Sequence, residues 1–61
     1  MLQAYRAYRV SSDGRIEDAR LLVCSSDAEA IVQAAQIAAG LDVELWQGDR
    51  LVTRVEIVRR N

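Results

Sequence analysis

The chain contains no histidine, proline, phenylalanine or lysine, and it has a single cysteine, Cys24. One cysteine cannot close an internal disulfide. Without histidine, and with one thiol, the common zinc sites built from Cys and His ligands cannot be assembled. Catalysis by Cys24 would need a base to activate the thiol, and no imidazole is present to serve. No run of eighteen apolar residues occurs, so no membrane-spanning helix is expected. The opening segment Met1-Leu2-Gln3-Ala4-Tyr5-Arg6 lacks the charged and apolar regions of a signal peptide. The expected location is therefore the cytoplasm, where a lone thiol stays reduced.

What is present is sixty-one residues, read as one domain spanning 1–61, near the lower limit for folding unaided. A core of this size supplies roughly 3–5 kcal/mol, and small folds commonly add a disulfide, a metal or a partner chain. With the first two excluded, association with a second copy is the remaining aid. Eight basic and nine acidic residues give a net charge of −1, which is not the balance of a protein that grips nucleic acid by neutralising phosphates. The charge is uneven. Arg50, Arg54, Arg59 and Arg60 crowd the last twelve residues, while residues 25–40 carry two acids, Asp27 and Glu29, and no base.

Turn and cap chemistry divides the chain. Gly14 follows Ser11-Ser12-Asp13 between two β-rich runs, 2–10 and 15–24, and Asp-Gly in that setting marks a hairpin because glycine accepts positive φ. Ser26-Asp27-Ala28-Glu29 fits a capping box, in which Ser26 accepts from the Glu29 amide and the Glu29 side chain returns to the Ser26 amide. A helix over 28–39 follows, with Ala30, Ile31, Ala34, Ala35 and Ala38 on one stripe, Ile37 at its border, and Gly40 as the left-handed residue that ends it. Val43-Glu44-Leu45-Trp46 alternates as a third strand, Gly48-Asp49 is a two-residue turn, and 51–59 is a fourth strand. The expected fold is α+β, of ββαββ order, with a four-stranded antiparallel sheet and one helix packed on one face.

Alternation assigns the faces. Leu51, Thr53, Val55 and Ile57 are expected under the helix, and Val52, Arg54, Glu56 and Val58 on the far side. Val43 and Leu45 inward place Glu44 and Trp46 outward; Leu22 and Cys24 inward place Leu21 and Val23 outward. In the first strand Tyr5 and Ala7 share one side, and Ala4, Tyr8 and Val10 the other. The far face is then less polar than a solvated sheet face ordinarily is.

Tyr5-Arg6-Ala7-Tyr8, Asp13-Gly14-Arg15-Ile16, Ser26-Asp27-Ala28-Glu29-Ala30-Ile31 and Glu44-Leu45-Trp46-Gln47-Gly48 occur in this order at short spacing. The set resembles a group of short bacterial proteins forming a domain of unknown function, with a Tyr-Arg start, an Asp-Gly turn, an acidic helix cap and a Glu-Leu-Trp-x-Gly segment. The resemblance covers nearly the whole chain and implies the strand–strand–helix–strand–strand fold and no particular activity. The chain departs from that pattern at Ala7 and Arg9, where a larger apolar residue is expected.

No glycine-rich phosphate loop and no acidic cluster of metal-ligand type is seen, and no cofactor is expected. Cys24, at the end of an apolar strand, reads as a core residue, and Glu44 and Glu56 as partners of arginines rather than an acid–base pair. The expected function is that of a small non-enzymatic domain that binds itself, as a homodimer, or another protein through the open sheet face. Trp46, Tyr8, Arg54, Val52, Val58, Glu44, Leu21 and Val23 are its candidate residues. The alternative is a small ligand or single-stranded nucleic acid held by Trp46, Tyr8 and Arg54, since aromatic rings beside arginine stack bases and meet phosphates. The near-neutral charge favours protein over nucleic acid.

Overall fold

The computed structural model describes residues 1–56. Ile57 and Val58, placed on opposite faces by alternation, lie outside the described residues, as do Arg59 and Arg60. Strands β1 (Gln3–Val10) and β2 (Ile16–Cys24) form the first hairpin. Its turn closes through the Gly14 amide on the Ser11 carbonyl, 2.9 Å, and the Ser11 amide on the Arg15 carbonyl, 2.8 Å, with Gly14 at φ +85°. Helix α1 (Asp27–Ile37) starts as the sequence leads one to expect. Ser26 is extended, and its Oγ accepts from the Glu29 amide at 3.2 Å. The reciprocal half of the box differs, because the Glu29 carboxylate takes the Ser25 hydroxyl, 2.7 Å, instead of the Ser26 amide. The helix end is also one residue earlier than the glycine implied. Ala38 is the cap, Ala39 holds the left-handed position at φ +53°, and Gly40 follows at +84°. Strands β3 (Asp42–Gln47) and β4 (Arg50–Val55) form the second hairpin around Gly48-Asp49. Gly48 is at φ +60° and Asp49 is not positive, the φ signs of a type II′ turn.

The sheet runs β2-β1-β3-β4, antiparallel throughout, so β1 and β3 are central and β2 and β4 are edges. The helix carries the chain from the β2 edge across one face to β3. Beneath it lie Tyr5, Ala7, Leu22, Cys24, Val43 and Leu45, met by Ala30, Ala34 and Ala38. The alanine stripe and Ala7 bring helix and sheet backbones close, and the larger apolar groups come from the strands. Ala35, expected in the stripe, is exposed. One further step of about 100° beyond Ala34 turns it out of the contact.

Two bulges reset the alternation. Leu45 pairs with Thr53 and Trp46 with Leu51, leaving Val52 as the extra residue of β4. Val52 consequently packs against the core, while Leu51 stands on the open face opposite Trp46, reversing the expected places of these two residues. Thr53, Val55 and Arg54 keep their expected faces. In the first hairpin Arg9 pairs with Asp18 and Val10 with Ile16, leaving Glu17 over. Arg9 and Ala7 are thereby explained. Ala7, fully buried, admits the helix, and Arg9 at the rim of the same face bonds the Asp18 carboxylate and the Ile37 carbonyl at the helix end, 3.4 Å. A cation there complements the negative end of the helix dipole.

Candidate interaction face

On the face away from the helix, the register aligns side chains in rows across all four strands. One row reads Leu21, Arg6, Trp46, Leu51, and the next Ala19, Tyr8, Glu44, Arg54. Val23 and Ala4 flank the first row; Ile16, Val10 and Asp42 flank the second. The Arg54 guanidinium donates to Glu44 Oε2 at 2.7 Å and to Asp42 Oδ2 at 3.3 Å, and Trp46 Nε1 donates to Glu44 Oε1 at 3.3 Å. β3 and β4 therefore carry an internally satisfied polar cluster around Glu44. The Arg6 guanidinium and the Tyr8 hydroxyl, both on β1, have no hydrogen-bond or ion-pair partner among the described residues. The rim is apolar and open: Ile16 is 59% exposed, Leu21 66%, Val23 53% and Leu51 49%.

Of the eight candidates, Trp46, Tyr8, Arg54, Glu44, Leu21 and Val23 meet on this face. Val52 does not, and Val58 is outside the described residues. The choice between tyrosines is settled: Tyr8 is on the open face, and Tyr5, 1% exposed, is in the core. Sequence reading missed three members. Arg6 was legible, since it sits two residues from Tyr8 in a strand and must share its side. Ile16 and Leu51 were not, because bulges with no local signature moved them.

The helix face has its own polar margin, and its groups are engaged. The Tyr5 hydroxyl donates to Asp27 Oδ1 at 2.7 Å, and Arg50 donates to both Asp27 oxygens at 3.1 and 3.3 Å. The Arg50 bonds first, and that of Tyr5 second, hold the Asp27 carboxyl below its ordinary range. The same bond, with burial, raises Tyr5. Arg9 likewise depresses Asp18. Cys24 is fully buried, and burial pushes its thiol upward, away from the reactive thiolate. Among the described residues no three Cys, Asp or Glu side chains gather as a metal site, no pocket opens, and no helix is long and apolar enough to cross a membrane.

The fold is thus an α+β domain of ββαββ order whose open sheet face mixes exposed apolar groups with aromatic rings and arginines. Comparison with family models, with curated proteins and with solved structures finds no match to the chain.

Proposed function

We propose that this is a non-enzymatic, cytoplasmic interaction domain and that its open sheet face closes on a second copy to form a homodimer. The observation that carries the reading is the concentration of exposed Ile16, Leu21, Val23 and Leu51 around Trp46 and Tyr8 on one face. Apolar patches of more than a few hundred Å² are uncommon on monomers, and Trp, Tyr and Arg are the side chains that interfaces enrich. The alternative, a nucleic acid or small ligand held by Trp46, Tyr8 and Arg54, is disfavoured by the Arg54 contacts. Its charge is committed to Glu44 and Asp42, and two carboxylates beside it repel a phosphate. Sedimentation over a concentration series tests the reading. The parent is expected to pass from monomer to dimer, and Trp46→Ala to remain monomeric at concentrations where the parent is paired. A parent that stays monomeric throughout would overturn it.

A further inference from the structure

Resting on that reading, we infer that two copies stack face to face about a twofold axis that runs along the strands, between β1 and β3. The argument is the order of side chains across the sheet. A twofold along the strands sets β1 over β3 of the other copy and β2 over β4, so each row meets itself reversed. The row Leu21, Arg6, Trp46, Leu51 is complementary to its own reverse. Leu21 meets Leu51 of the second copy, and Arg6 meets the ring of its Trp46, a cation over an aromatic face. In the next row Tyr8 meets Glu44 of the second copy, so a hydroxyl donor faces a carboxylate. Both groups that lack partners among the described residues, the Arg6 guanidinium and the Tyr8 hydroxyl, thereby acquire one, twice over by symmetry.

The competing axes lack this match. A twofold across the strands that passes through the first row would set Arg6 against Arg6 of the second copy, like charge on like charge. One that passes between the rows would set Trp46 against the Glu44 carboxylate and Leu51 against Arg54, an apolar group on a charge. Pairing of β2 edges in one continuous sheet would leave the open face uncovered, with Trp46 and the exposed Leu51 in water. The footprint is adequate for a dimer of small chains. Four strands about 4.8 Å apart, six residues long at about 3.4 Å each, make a plate of roughly 400 Å². Its corrugated accessible surface is larger, toward the roughly 800 Å² per partner of standard interfaces. Sheets stacked face to face also align their strands to within about 30°, as this axis requires.

Leu21 and Leu51 provide the test, because they stand on opposite edges of one sheet and cannot be joined within a chain. L21C and L51C chains are prepared separately, with the buried Cys24 left in place, and treated with a short bis-maleimide singly and mixed. The expected result is an efficient covalent dimer only in the mixture, abolished when Trp46→Ala is added to both chains. That substitution should also weaken association by about tenfold or more, the scale of a central aromatic anchor. Efficient linking of L21C alone would overturn the axis, in favour of β2 edge pairing if L51C does not link to itself and of a twofold across the strands if it does. So would a dimer in sedimentation that no combination links. In either case a parent dimer still lost on Trp46→Ala would leave the open-face reading standing, whereas a parent that never dimerises would remove both. If the cysteines themselves weaken the dimer, Ala19→Cys with Arg54→Cys, one row away and also on opposite edges, repeats the measurement.

Discussion

At the scale of single residues, the helix exit stores a local cost. Ala39 occupies the left-handed region at φ +53°, where an L side chain loses about 1–2 kcal/mol against glycine. Part of the gain from Ala39→Gly is offset by the freer unfolded chain, so a net stabilisation of about 0.5–1 kcal/mol is expected in urea unfolding. A loss would mean that the exit relaxes without it. Asp27 makes a second residue-scale prediction. Arg50 and Tyr5 hold its carboxyl below the ordinary value of 3.8 in the folded state only, so the unfolded chain takes up the proton more readily. The stability this provides is complete above the ordinary carboxylate range and is lost as pH falls through it toward the depressed folded value. Tyr5 works in the opposite sense: raised above 10.0, it contributes below that pH and the contribution disappears as pH rises through the folded value. Arg50→Gln should flatten the acid limb of a plot of urea midpoint against pH. An unchanged limb would show that Asp27 is not responsible for it.

At the scale of elements, the helix start and the β4 bulge can be probed separately. Ser26→Ala removes the acceptor of the Glu29 amide and should cost about 0.5–2 kcal/mol. Ser25→Ala removes an exposed bond to the Glu29 side chain and should cost much less. A reversed order in chemical denaturation would move the cap. In β4, plain alternation makes Leu51 the core residue, whereas the bulge gives that place to Val52. Val52→Asp should therefore destabilise the monomer by at least about 2 kcal/mol more than Leu51→Asp, since it places a carboxylate against apolar groups. Equal losses at low protein concentration would argue against the bulge. The difference matters for function, because the slip delivers Leu51 to the open face beside Trp46.

For the whole molecule, the small alanine-lined core and the apolar open face are two sides of one problem. Alanines at 30, 34 and 38 bury little area, and Leu21, Val23, Leu51 and Ile16 leave about half or more of their surface in water and stand outside the core of a monomer. Pairing converts that face into buried surface, which links folding to concentration. The thermal midpoint of the parent should rise by a few degrees for each tenfold increase in protein concentration. That of Trp46→Ala should stay level. A level parent curve would show that the domain draws no stability from a second copy.

The sequence by itself determined the order of elements, the helix start at Ser26, both glycine turns and the inward set Leu22, Cys24, Val43 and Leu45. These depend on contacts between near neighbours, such as a hydroxyl three residues from an amide or an alternation within one strand, and so are written in adjacent letters. It also carried most of the open face, because Trp46, Glu44 and Arg54 follow from those alternations. The tertiary structure decided the strand order, the choice of Tyr8 over Tyr5, the exchange of Leu51 and Val52, and the partnership of Arg9 with Asp18 and the helix end. Each of these is a statement about two segments at once. A bulge exists only relative to the strand it is paired with, and Tyr5 has its place because Asp27, 22 residues away, accepts its hydroxyl. Arg9 is tolerated on the helix face because Asp18 and the Ile37 carbonyl receive its charge there, and only the packing of helix on sheet brings those groups together.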